Sequence, residues 1–395
     1  MSTTASDVPD VRDDTPGLAR LFFAYLRLGS VSFGGPAMVA YIGDLATRRG
    51  WLTKDDFKVG VALCQAIPGA TAMQSAAYVG FRARGLAGAV ATYAGFGLPA
   101  FLLMTALSMA YRHASDLDVV TSALTGLRAL VVALVANAAW SFGRSTVKHW
   151  TDAALAVATG LLFFAGVSPF LIVAGAGIAG AVLLRRHVQT VASVERSGAD
   201  RAAFRAPGVV LAAAAAIVTA LWLIDPLLAR VALIMMKVDV FAFGGGFASL
   251  PLMLTEFVRV RDWVPAEVFL DGVALGQVTP GPIVITATFV GYQVAGLPGA
   301  AAATLGIFLP SIFVVVLTEP WFRRLQSSAV FQAASHAFIL SFVGLLVSVA
   351  VQFARVATWS VPAVLLAVAA FVALRLKVDF LWVVLAGAVL SALIL

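Results

Sequence analysis

The chain has 395 residues, a formal net charge of +7 and a mean hydropathy of +0.97, with 61% hydrophobic and 12% charged residues. Soluble domains carry about a quarter charged residues, so this much apolar surface calls for lipid as the solvent. The basic residues form no continuous stripe beside aromatics, which argues against a nucleic-acid partner, and the single cysteine, Cys64, excludes an internal disulfide.

The first residues, Met1 to Pro16, are polar and lack the basic-then-apolar order of a signal peptide. They read as a short cytoplasmic tail over 1–17. Apolar runs long enough to span follow at about 18–43, 86–111, 119–142, 151–167 and 169–185. Beyond the polar stretch Arg185–Pro207, further runs lie at about 207–224, 227–252, 298–320, 330–352, 359–375 and 378–394. Two other regions, about 56–84 and 266–295, are less apolar, and each is split by Pro-Gly. Each is one broken crossing or a re-entrant hairpin. Non-helical backbone at membrane depth is tolerated only where protein or a water-filled cavity covers it, so either form points to a site.

Counting each split region as one crossing gives an all-α polytopic membrane protein of about 13 spans with the N-terminus inside. The loop with Arg48, Arg49, Lys54 and Lys58 is then misplaced. Counting the split regions as hairpins, with the N-terminus outside, repairs that loop but misplaces Arg323, Arg324, Arg375 and Lys377. The crossing model is favoured. It divides the chain into the tail (1–17), a first repeat (18–187), a cytoplasmic linker (188–206), an extra span (207–226) and a second repeat (227–395). The odd extra span makes the repeats inverted, the geometry that exposes one midplane site to each side in turn.

The repeats are visible as a duplicated motif, about 210 residues apart. Ser32-Phe33-Gly34-Gly35-Pro36 and Trp51-Leu52 lead to Gln65-Ala66-Ile67-Pro68-Gly69, then Gly80, Gly85-Leu86-Ala87-Gly88 and Gly97-Leu98-Pro99-Ala100. Ala242-Phe243-Gly244-Gly245-Gly246 and Trp263-Val264 lead to Gln277-Val278-Thr279-Pro280-Gly281-Pro282, then Gly291, Gly296-Leu297-Pro298-Gly299 and Phe308-Leu309-Pro310-Ser311. Matched Gly/Pro breaks in two membrane repeats mark a secondary transporter whose broken helices meet near the midplane.

Adjacent glycines inside a span indicate a break or a close backbone approach, since each costs about 1 kcal/mol in a helix; Pro36 also lacks a donor. The N-terminus of the half-helix after a break carries partial positive charge and binds anions. The buried amides of Gln65, Gln277 and Gln74 offer donors without fixed charge, so bound anion is still released. Arg27 and Lys237 each lie six residues before the Phe of their motif, and this pair of cations is placed to offset a dianion. Arg128 sits inside a span without a basic match. Asp239 and Asp271 read as pairing partners or proton carriers, and His336 is the one histidine in a span, a weaker coupling candidate. Four scattered His and one Cys give no metal or nucleophile cluster, so neither an enzyme nor a metal site is expected.

These motifs resemble the chromate ion transporter family in its long-chain form, with both halves fused. The match is strongest over 30–101 and 240–313. Phe33, Gly34, Gly35, Pro36, Gln65, Pro68, Gly69 and Gln74 fit the first-half pattern. Phe243, Gly244, Gly245, Gln277, Pro280, Gly281 and Pro282 fit the second. The resemblance implies an inner-membrane exporter of chromate, driven by the proton motive force and giving chromate resistance, with sulfate as the related substrate. Implied partners are the oxyanion, protons, the bilayer and, as an option, a second copy; no cofactor is implied. The chain departs from the pattern at Ala70-Thr71, where the family has Pro-Glu, and at Gly246, where Pro is absent. A member exporting another oxyanion or a small organic solute is the alternative.

Overall fold

The computed structural model describes residues 16–33, 35–114, 117–184 and 205–394, which are helical with short connections. Most of the expected tail, most of the expected linker, and Gly34 lie outside the described residues. The first copy of the motif contains α1 (Leu18–Val31), α2 (Gly35–Arg48), α3 (Lys54–Ala66) and α4 (Thr71–Ala114). Then come α5 (Asp118–Thr146), α6 (Trp150–Phe164) and α7 (Pro169–Ala179), which runs on as a π turn, Gly180–Leu184. Helix α8 (Arg205–Ile224) leads to the second copy: α9 (Pro226–Phe241), α10 (Ser249–Met253), α11 (Ala266–Val278) and α12 (Thr286–Thr318). Short helical turns precede α10 (Gly246–Ala248) and α12 (Ile283–Ile285), and a π segment, Leu254–Val260, extends α10. The chain closes with α13 (Phe322–Ser327), α14 (Ala329–Val356), α15 (Val361–Arg375) and α16 (Phe380–Ile394).

Local chemistry sets several starts. Thr53 caps α3 by accepting from Asp56 N–H at 3.1 Å, and Asp55 and Asp56 complement the positive end of that helix. Asp225 caps α9 the same way, with Pro226 at the first helical position. By length and composition α4, α5, α8, α12 and α14 can each cross a bilayer.

Helix α4 has 44 residues, about 66 Å if straight, far more than a bilayer needs. It is a hairpin. Arg84 (φ −153°) and Gly85 (φ +59°) leave helical geometry, and Thr92 Oγ1 donates to Ala76 O at 2.8 Å across the fold. The matching residues of α12, Ala295 (φ −144°) and Gly296 (φ +60°), repeat the turn, and Thr288 and Thr304 share a 2.7 Å hydrogen bond between its arms. The left-handed φ explains the glycine at each corner. Gly80 faces Gly88 and Gly291 faces Gly299, with the backbone of each blocking a Cβ on the other. Small residues let membrane helices approach this closely.

Four further reversals correct the reading of about 13 crossings. The rings of Tyr25 and Trp51 stack with centroids 6.2 Å apart, whereas a straight helix would hold them about 39 Å apart. The Tyr78 hydroxyl donates to Asp56 O at 3.3 Å. In the second copy Lys237 Nζ reaches Glu256 Oε1 at 2.7 Å, and Gly272 packs on the Phe289 ring. So 18–43, 56–84, 227–252 and 266–295 each run inward, break and return. Among the described residues the segments outside these hairpins are the second arms of α4 and α12, and α5, α6, α7, α8, α14, α15 and α16, with the short α13. Glycine and proline mark where a helix stops; they do not say whether the next one continues or turns back.

The two copies hang from opposite ends of the bundle. At one end Arg84 donates to Pro16 O, and Arg82 pairs with Glu319 at 3.1 Å. At the other, the Tyr111 ring packs edge-on against Phe289 and Arg112 lies over Tyr292.

Candidate functional site

The breaks of the two copies meet in reciprocal pairs. Gly281 N–H donates to Ser32 O at 2.9 Å, and Gly69 N–H donates to Ala242 O at 3.0 Å. Ser32 matches Ala242, and Gly69 matches Gly281, so the pairs are related by a local two-fold. Gly69 (φ +115°) packs on Ser311 and Gly281 (φ +113°) on Ala100, again a matched pair. Ala100 lies about 21 Å along the second arm of α4, roughly its middle. The breaks therefore sit at mid-depth.

One side of this junction is rich in donors. Gly244 (φ +99°) and Gly245 (φ +88°) turn the chain into the helical segment that starts at Gly246. A Cβ on Gly245 would lie 3.5 Å from Thr71 Oγ1, and one on Gly246 3.6 Å from the backbone nitrogens of Ile283 and Val284. Three half-helix N-termini thus converge on Gly244–Gly246: that segment's own, the turn before α12, and α4. Their first-turn N–H groups have no partner within the helix and carry partial positive charge. Gln277 is buried, and its Nε2 has no partner, which adds an amide donor to the same copy.

The other side is a buried polar cluster. Ser311 Oγ donates to Asp239 Oδ2 at 2.8 Å and accepts Ala70 N–H at 3.3 Å. Gln74 Nε2 donates to Pro68 O. Asp239 and Gln74 are 1% and 0% exposed, yet Asp239 Oδ1 and Gln74 Oε1 have no donor.

The remaining expected site residues are dispersed. Pro68, Pro280 and Pro282 lie within the breaks; Gly35 and Pro36 open α2. Phe33 is half-buried, and Phe243 stacks on Phe338 with centroids 4.0 Å apart. Gln65 is exposed on the last turn of α3. Arg27 is exposed, with the buried Tyr25 and Gly29 on the opposite face of α1. Lys237 is held by Glu256, which also pairs with Arg261, and its Nζ lies 3.7 Å from the Phe170 ring centroid. The two cations are thus not brought together at the breaks. Asp271 takes a bidentate pair from Arg128 at 2.6 and 2.7 Å and a 2.8 Å bond from Tyr111. His336 contacts Asp152 at 3.3 Å, between Ser335, which reaches Ala66 O, and Phe338, which stacks on Phe243.

Sequence reasoning passed over Thr71, Ser311 and Glu256. Ser311 had a signal: it is the hydroxyl that replaces Ala100 in the otherwise repeated Leu-Pro motif.

No solved structure matches the chain. It is 38% identical over 384 residues to an uncharacterized transporter of Methanocaldococcus jannaschii, covering 97% of this chain and 96% of the relative. It is 32% identical over 386 residues to the chromate transport protein of Cupriavidus metallidurans (95% and 93% covered). It is 30% identical over 375 residues to that of Pseudomonas aeruginosa (90% and 85% covered). The chromate transporter family model matches residues 19–181 and 229–392, one match per copy of the motif. With both copies matched and the relatives covered nearly end to end, the chain belongs to the chromate transporter family.

Proposed function

We propose that the protein is a secondary transporter that exports chromate, and sulfate-like oxyanions with it, across the inner membrane by alternating access. The observation that carries this reading is the reciprocal pairing of the four breaks at mid-depth, which supports a single central site reached from each side by rocking one repeat against the other. The anion binds at Gly244–Gly246, Thr71 and Gln277, where converging helix N-termini and a neutral amide offset its charge. Arg27 acts through its field from the flank, Lys237 is balanced by Glu256, and Gln65 serves the approach to the site.

Charge asymmetry supports the orientation. Arg48, Arg49, Lys54, Lys58, Arg82, Arg84, Arg144, Lys148, Arg375 and Lys377 gather at the end from which the first copy hangs. Arg112, Arg230, Arg259, Arg261 and Arg355 are at the other. Both misfits of the simpler span counts disappear once α1 and α2 form a hairpin, and the first end, with the N-terminus, is cytoplasmic.

The test is radiolabelled chromate uptake into everted vesicles, with and without a proton motive force and with sulfate as competitor. Accumulation that needs the energised membrane and is blocked by sulfate is expected. Uptake no greater than in vesicles lacking the protein would refute the substrate.

A further inference from the structure

The mid-depth cluster at Asp239 has the marks of a proton site. Its orphaned atoms, Asp239 Oδ1 and Gln74 Oε1, are both acceptors. An anion brings more acceptors and leaves them unsatisfied; a proton supplies a donor. Asp239 stands in the last turn of α9, where the helix's own carbonyls make the field negative. Its side-chain hydrogen bond comes from a neutral hydroxyl, Ser311.

The elements packed around Asp239 supply no cation. Helix α12 has no charged side chain within Thr286–Thr318, and α8 has none after Arg205 at its start. Helix α4 brings Gln74 and Tyr93, whose hydroxyl is given to Phe308 O at 2.7 Å. On α9, Lys237 is turned to Glu256 and Phe170, and Glu256, on the segment after α10, is shared with Arg261. The other two coupling candidates are already compensated. Asp271 has Arg128, and His336 has Asp152. A membrane-buried carboxyl without a cation is costly and marks function.

The cluster also touches the anion side. Gly69 and Ala70 pack on Ser311, and the next residue, Thr71, faces Gly245; neighbouring Cα atoms are about 3.8 Å apart. The first copy has Gly29 and Ala100 where the second has Asp239 and Ser311, so the device occurs once per molecule.

We propose that Asp239 is the coupling group: the dianion enters only when this carboxyl holds a proton, and proton and dianion cross together as a singly negative unit. A carboxylate so close repels a dianion through low-dielectric protein, and a carboxylic acid does not. The proton is taken from water on the side where the anion enters and given back where it leaves. An inside-negative potential then drives the unit outward. The inference rests on the oxyanion reading above.

Asp239→Asn keeps the site neutral without a proton. Purified protein in vesicles at clamped potential, with the same pH inside and outside, is given chromate at a pH where it is the dianion. Wild-type flux is expected to fall as pH rises. The Asn variant moves chromate with a flattened pH profile, and its accumulation ratio at a given potential is the square of the wild-type ratio, because two charges cross instead of one. An unchanged pH profile and ratio overturn the assignment. Loss of all flux in an Asn variant that still elutes as a single species also overturns it, by placing Asp239 in the anion path. If the Asn variant does not fold, Ser311→Ala is used: a displaced pH profile of flux supports the proposal, and an unmoved one overturns it. Wild-type protein that moves chromate without pH dependence removes the coupling group and leaves the oxyanion reading standing. Wild-type protein that moves no chromate removes both.

Discussion

At the residue scale the junction rests on two glycines that no other residue replaces cheaply. Gly69 and Gly281 combine left-handed φ values of +115° and +113° with close neighbours: Gln74 Nε2 lies 2.6 Å from a Cβ at Gly69, and Ala100 Cβ lies 2.7 Å from one at Gly281. Strain of this kind costs on the order of 1–3 kcal/mol per residue. Gly69→Ala and Gly281→Ala are each expected to lower the detergent melting temperature and to cut chromate flux at least tenfold. Gly175→Ala, an exposed helical site with open space around it, is the control and changes neither. Equal flux in all three would make the breaks packing features. Gly69 and Gly281 were legible because their motif is repeated. The Asp239–Ser311 pair was not, because its members lie 72 residues apart and only the meeting of α9 with α12 joins them.

At the element scale, ion pairs tie the hairpins to the long helices at both ends. Arg128, Asp271 and Tyr111 bind α11 to α5 and α4, and the Asp271 side chain is fully buried. Arg82–Glu319 at the other end is half-exposed. Removing one partner of a buried pair strands the other, at about 3–5 kcal/mol, whereas an exposed pair is worth about 0–1 kcal/mol. Arg128→Gln is therefore expected to destabilise the protein several-fold more than Arg82→Gln in thermal unfolding. Adding Asp271→Asn to Arg128→Gln should recover part of the loss. Equal effects of the two single changes would mean that water reaches Asp271. Existence and order of the helices were readable from apolar runs and Gly/Pro breaks. Their direction was not, since a straight helix and a hairpin bury the same residues in lipid, and partners such as Tyr25–Trp51 reveal the reversal only in three dimensions.

For the whole molecule, the hairpins decide which loops face which compartment, and that separates the observed architecture from a chain of simple crossings. With 18–43 as one crossing and the N-terminus inside, the loop at Lys54 is external and that at Val260 is cytoplasmic. With α1/α2 and α9/α10 as hairpins the two exchange: Lys54 joins the basic end and Val260 the opposite one. The buried Cys64 is replaced by Ala, and single cysteines are placed at the exposed positions Lys54 and Val260. A membrane-impermeant thiol reagent added to whole cells is expected to label Val260→Cys and spare Lys54→Cys, and everted vesicles should reverse the result. The opposite pattern would restore the straight crossings. It would also undo the central site, because half-helices that continue across the bilayer cannot return their N-termini to a common mid-depth junction.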